Sequence, residues 1–155
     1  MITFEPSRER HVLDVAVRMR QCDKDELWAA GQPAPYQVLL RSIEMPGEHY
    51  TAFKDGVPIA MFGFSDLHGN QTVGVPWMLG TDDLEDVAMT VLRQSKKHCE
   101  AAKKRFDLML NYVDARNTTS IKWLKWLGFT IKDAEPYGPF GSPFHYFEYR
   151  KPEHV

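Results

Sequence analysis

Leu108-Met109-Leu110-Asn111-Tyr112-Val113-Asp114-Ala115-Arg116-Asn117-Thr118-Thr119-Ser120-Ile121-Lys122-Trp123-Leu124-Lys125-Trp126-Leu127-Gly128-Phe129 changes its pattern twice within one short run. Leu108–Val113 is apolar and alternating, which reads as a strand. Asn117 offers a side-chain oxygen to the amide of Thr119 or Ser120, so it reads as the cap of a helix over Thr118–Leu127. Gly128 closes that helix, and Phe129–Lys132 resumes strand character. The unit is strand, capped helix, strand.

The same logic extends outward in both directions. Upstream, Asp83 to Arg105 reads as one long helix, with Leu84, Val87, Ala88, Val91, Leu92, Ser95, Cys99, Ala102 and Phe106 as its buried stripe. Before it, Thr72–Leu79 reads as a strand that contains Pro76. A proline cannot donate to a ladder, so pairing should break beside it and leave a cleft lined by Trp77, Met78 and Asn117. Asp55-Gly56 is a hairpin signal joining Tyr50–Lys54 to Val57–Phe64, whose apolar residues on both faces suit a covered central strand. Asp66–Asn70 reads as a loop. At the start, Ile2 and Phe4 mark a strand, and Ser7 caps a helix carrying Val12, Val15, Ala16 and Met19. Asp23 and Glu26 have capping-box spacing, opening a short helix ended by Gly31 and Pro33. Tyr36, Leu39, Leu40 and Ile43 mark an amphipathic turn and a half. Downstream, a stiff loop with Pro136, Gly138, Pro139, Gly141 and Pro143 leads to a last strand, Phe144–Arg150. The order β–α–α–β–β–β–α–β–α–β–β makes the fold class α/β, with a mixed central sheet and helices on both faces.

Composition sets the outer limits. The 155 residues suit a single domain spanning 1–155. The 19 basic and 21 acidic side chains give a formal charge of −2, which excludes a polycationic nucleic-acid binder. The cluster Arg93, Lys96, Lys97, Lys103, Lys104 and Arg105 reads as a solvated helix face, and nucleic acid is not an expected partner. No apolar run reaches the roughly 20 residues of a membrane span. Met1–Pro6 lacks the basic and apolar regions of a secretory signal, so a cytoplasmic location, or a virion, is expected. Cys22 and Cys99 form no CxxC pair and read as reduced thiols. The six histidines show no metal-ligand spacing, and no metal is expected.

The element order, and Asn117-Thr118-Thr119-Ser120 followed eleven residues after Asn117 by Gly128-Phe129, resemble the Gcn5-related N-acetyltransferase (GNAT) fold. Within that class, Asn111–Thr118 and Pro76-Trp77-Met78-Leu79-Gly80-Thr81-Asp82 look like a bacteriophage and prophage family that includes T7-type internal virion proteins. The resemblance implies acetyl-CoA, bound by Trp77, Met78, Leu79, Gly80 and Asn117. Three departures stand against it. The family's glycine-rich turn receives a pyrophosphate on bare amides and a positive helix end. Here Gly80 is the only glycine there, and Asp82, Asp83, Glu85 and Asp86 follow. One carboxylate about 6 Å from a phosphate would repel it by roughly 0.7 to 3 kcal/mol. The family's acid, a tyrosine seven residues after the asparagine, corresponds to Leu124. The central-strand glutamate that often serves as its base has no counterpart in Val73–Leu79.

Two function classes therefore stand. The favoured one is a catalytically degenerate protein of phage origin, contacting a virion or host protein through Tyr137 and Phe140, which should be partly exposed. The alternative is an acetyl-CoA-dependent N-acyltransferase with an atypical cofactor loop, acting on a small-molecule amine. No catalytic residue is assigned; Tyr112 is the one candidate, although its alternation with Leu108 and Leu110 reads as core.

Overall fold

The structure, a computed structural model, describes residues 1–153. Seven strands, β1 (Ile2–Pro6), β2 (Gly47–Lys54), β3 (Val57–Leu67), β4 (Asn70–Gly80), β5 (Leu108–Asp114), β6 (Thr130–Tyr137) and β7 (Ser142–Arg150), form one sheet in the order β1-β2-β3-β4-β5-β7-β6. Every neighbouring pair is antiparallel except β4 and β5, so the sheet is mixed. Helices α1 (Glu9–Val17), α2 (Gln21–Ala29) and α3 (Pro35–Glu44) precede β2. Helices α4 (Asp83–Asp86) and α5 (Ala88–Arg105) lie between β4 and β5, and α6 (Thr118–Trp126) follows β5.

The sheet is covered on both sides because β3 is apolar on both. On one face Val12, Val15, Met19, Leu27, Val38 and Leu39 close over Met61 and Leu79. On the other, Cys99, Ala102 and Phe106 pack with Phe62, Phe64, Met109 and Phe147. Each buried Val, Leu, Met or Phe among them contributes about 1.5–3 kcal/mol of transfer free energy. The Asp55-Gly56 turn has positive φ at both residues (50° and 83°), the geometry of the expected hairpin.

The structure corrects several local readings. Ser7 does not cap α1: its hydroxyl is 2.9 Å from Thr51 Oγ1, and His11 Nδ1 instead accepts the Arg8 amide. Asp23 and Glu26 form no capping box, because α2 already begins at Gln21 and both carboxylates turn inward to tertiary partners. The turn and a half at Tyr36–Ile43 is a full helix of ten residues, started by Pro35 at its first position. The loop Asp66–Asn70 contracts to a tight turn at His68-Gly69, with φ of 48° and 78°. The stiff loop at 136–143 is mostly ladder, with β6 reaching Tyr137 and β7 starting at Ser142. Most consequential, the long helix is broken. Val87 (φ −124°) separates the single turn of α4 from α5, so the acids Asp83, Glu85 and Asp86 do not occupy the first turn of the long helix. The break lets Leu84 turn down into the core with Ala52, Ile59 and Ala60. A Cβ on Gly80 would lie 2.6 Å from Leu84 Cδ2, so any larger residue here would displace Leu84 from its seat.

Pro76 does mark a parting of strands. β4 and β5 pair only at Val73–Leu108 and Gly74–Met109, then diverge. At the point of divergence Gly74 leaves room for the Phe106 ring, which a Cβ would meet at 2.6 Å.

Candidate active site: a cleft through the sheet

The parted strands open a cavity of about 400 Å³, within the range of small-ligand sites. Its wall comes from both sides of the sheet. Leu92 and Ser95 of α5, with Ser120, Trp123, Leu124 and Leu127 on and beside α6, line one side. Glu26, Gln32, Val38, Ser42, Ser65 and Trp77 line the other. The cavity is therefore a passage through the sheet, narrow where β4 and β5 still pair and wide towards Gly80 and Asp114.

Of the expected residues, Trp77, Met78 and Leu79 line this passage, and Gly80 and Asn117 do not. Asn117 is buried at the start of α6, where its Oδ1 accepts the Ser120 amide at 3.3 Å, as expected of a cap. Its Nδ2 is buried without an aligned partner, although the side chain lies close enough to Glu26 to favour that carboxylate. Tyr112 is not core. It is 38% exposed, lines the passage, and stacks on Tyr137 with ring centroids 4.1 Å apart. Tyr112 alternates with Leu108 and Leu110 along β5, but the face it shares with them is open to solvent at its position. Phe140 is exposed and stacks on exposed Trp28 at 6.0 Å; Tyr137 is half-buried. The turn carrying Phe140 sits against the end of α2, where Gly138 leaves space for the Ala29 carbonyl. Phe144 and Phe147 are buried and Tyr146 is half-buried.

Glu26 is the side chain that sequence reasoning missed. Its carboxylate accepts the backbone N–H of Asp114 at 2.7 Å and faces the passage. Burial pushes its pKa from 4.5 to about 7, against the pull of that hydrogen bond and of Asn117. At neutral pH it is poised between acid and base, the state expected of a working carboxylate. Beside it, Asp114 is buried but held below its ordinary value: desolvation would raise it, and the Arg116 side chain and amide more than offset this. No sequence signal separates Glu26 from a surface glutamate; only folding brings it to β5.

The turn after β4 is occupied by the chain itself. Asp23 accepts the Gly80 N–H at 2.9 Å, and the Gly80 carbonyl accepts the Arg20 amide at 2.8 Å. Arg20 and Asp23 pair through two side-chain hydrogen bonds, and both are almost fully buried. The Arg20 guanidinium also lies 5.2 Å from the centroid of the Trp123 ring.

An acyl-CoA fits this cleft in part. Along β4 the backbone groups of Gly74, Pro76, Met78 and Gly80 face the parting, by strand alternation. Asn111 Nδ2 donates to the Pro76 carbonyl at 2.9 Å, and the Gly80 groups are taken, which leaves the Met78 amide and carbonyl as an open strand edge for a pantetheine arm. The phosphates have less: bare amides remain at the start of α5, preceded by Glu85 and Asp86.

Sheet order, parallel β4–β5 parting and through-sheet cleft together define the GNAT acetyltransferase fold, and this chain has it. It superposes on a putative acetyltransferase from Salmonella typhimurium solved with its cofactor acetyl-CoA (TM-score 0.73, 13% identity), over 100% of this chain and 96% of that one. A GNAT superfamily phosphinothricin acetyltransferase from Sinorhizobium meliloti, in complex with acetyl-CoA, gives a TM-score of 0.74 at 12% identity, covering 99% and 90%. A GNAT-family acetyltransferase from Streptococcus pneumoniae gives 0.69 at 11%, covering 98% and 100%. No protein-family model matches the chain, and no curated protein matches it in sequence. None of these structural likenesses supports the bacteriophage resemblance. Among the described residues, no helix is long and apolar enough to cross a membrane.

Proposed function

We propose that this chain is an acyl-CoA-dependent N-acyltransferase, with acetyl-CoA as donor and a primary amine as acceptor. One observation carries the reading: the passage through the sheet joins a donor side at α5 and α6 to an acceptor side at α1–α3, with a poised carboxylate on the acceptor side. Acyl-CoA supplies an activated thioester. The chain's part is to hold the donor arm along the Met78 edge and to bring an amine up to it from the opposite face. Positioning of that kind accounts for much of the rate in such transfers.

Roles follow from place. Trp77, Met78 and Leu79 form the β4 wall, and Trp123, Leu124 and Leu127 exclude water on the donor side. Asn117 acts on the donor side indirectly, by fixing the first turn of α6. Glu26 recognises a polar or cationic group of the acceptor remote from the reacting nitrogen, and Tyr112, backed by Tyr137, gives the acceptor an aromatic floor. The experiment is amine-dependent release of free thiol from acetyl-CoA, run with a panel of small primary amines alongside calorimetry of acetyl-CoA alone. Binding with turnover supports the reading; neither binding nor turnover rejects it.

A second reading is favoured by the Asp23–Gly80 contact and the acids of α4. In it the fold is kept without the chemistry, and the exposed Trp28–Phe140 pair contacts a virion or host protein. Amine-dependent turnover separates the two.

A further inference from the structure

No carboxylate on β4 is available to take the proton that an amine loses as it becomes an amide. We infer that Ser65 and His49 take it, as a relay in which the Ser65 hydroxyl accepts the amine's proton while passing its own to His49 Nε2. This rests on the acyl-transfer reading.

The geometry comes from three adjacent strands. His49 on β2, Ser65 on β3 and Trp77 on β4 share the acceptor face of the sheet. Ser65 Oγ lies 3.2 Å from His49 Nε2 and accepts the indole N–H of Trp77 at 3.3 Å. Indole can only donate, so the hydroxyl proton stays available for an unprotonated Nε2. Gly63 makes the convergence possible. A Cβ there would lie 2.7 Å from His49 Cδ2 and 3.0 Å from Trp77 Nε1.

Position selects this group over Glu26. Ser65 lines the passage and stands opposite Val75, the residue just beyond the last β4–β5 pair. That is the narrow end, where an arm inserted from the Gly80 side would end. Glu26 is held at Asp114, five residues beyond Met109 and at the wide end. At about 3.3 Å per strand residue the two stand more than 10 Å apart, so they cannot serve the same nitrogen.

His49 is also in the right state. Burial lowers its pKa, and the carboxylates of Asp66 and Glu48 act in the opposite direction. Asp66 is itself drawn to Arg105 at 3.4 Å. A neutral, half-buried imidazole can take a proton from the cavity and release it outside. For each transfer the acyl carbon exchanges its bond to sulfur for one to nitrogen. The nitrogen's proton goes to Ser65, the Ser65 proton goes to His49 Nε2, and the leaving sulfur is protonated from solvent.

Two measurements test this. In amine-dependent thiol release from acetyl-CoA, H49Q should lower kcat by about a hundredfold and remove the acid limb of the pH profile, with acetyl-CoA affinity unchanged. S65A should reproduce the loss, whereas E26Q should raise the KM for the amine and keep the limb. Nitrogen NMR of the imidazole in the free protein should show the proton on Nδ1 at neutral pH. Full activity of H49Q with an unchanged limb, or a proton resident on Nε2, overturns the relay. Loss of the relay's signature with turnover intact leaves the acyltransferase reading standing; absence of turnover in the wild type with every amine removes both.

Discussion

The Asp23 carboxylate accepts the backbone N–H of Gly80 at 2.9 Å, so the amide at the end of β4 is bound by the protein's own anion. Arg20 neutralises that anion from inside the fold. In effect the chain has built a carboxylate–guanidinium pair beside the turn where the GNAT resemblance expects a glycine-rich phosphate cradle.

The pair is structural, and its members should depend on each other. R20A leaves a buried carboxylate with one backbone partner and should cost about 3–5 kcal/mol in denaturant unfolding. Replacing both residues, Arg20 by Met and Asp23 by Leu, should cost clearly less than R20A alone. An additive double variant would show that the pair is not coupled.

Donor affinity should be weak. With Gly80 engaged and Glu85 and Asp86 ahead of α5, calorimetry should give an acetyl-CoA Kd above about 10 μM, a free energy weaker than roughly −7 kcal/mol. E85Q and D86N should each tighten binding by about threefold at low salt, the gain fading as salt rises.

Glu26 should make stability depend on pH. Its pKa is raised from 4.5 to about 7, so the folded state favours the protonated form. The stability this provides is complete below the unfolded value and is lost as pH rises through 7, by about 3 kcal/mol in all. E26Q should therefore stabilise the protein at pH 8 and leave it nearly unchanged at pH 4. Equal thermal shifts at both pH values would contradict the assignment.

The aromatic turn should split in two. F140S removes an exposed ring and should cost less than about 1 kcal/mol. Y137S removes the ring that backs Tyr112 and should cost about 2 kcal/mol, with a higher KM for the amine.

Much of the architecture was legible because it rests on local signals. The Asp55-Gly56 hairpin, the Asn117 cap and the parting at Pro76 each follow from the chemistry of one or two adjacent residues. Of the cleft residues read from Pro76, Trp77 and Met78 line the passage and Asn117 does not; Leu79, which also lines it, was indicated only by the family resemblance. What stayed hidden depends on distant partners. Glu26 is distinguished by an amide 88 positions away, and His49 by a hydroxyl on the next strand. The break at Val87 was masked because Leu84 and Val91 keep helical spacing across it while packing from separate helices. Asp23 looked like a capping residue because its spacing from Glu26 fits one, and its tie to Gly80 exists only after α2 has docked on the sheet.

In the sheet itself, β1–β4 and β5–β7 are joined at only two register pairs, Val73–Leu108 and Gly74–Met109. Mechanically these are two leaves on one short hinge. Any molecule that lays a polar backbone along the Met78 edge while packing on β5 adds rungs that the chain does not supply. Occupancy would then stiffen the whole protein, and slower amide exchange across both leaves would report it without any need to watch the chemistry.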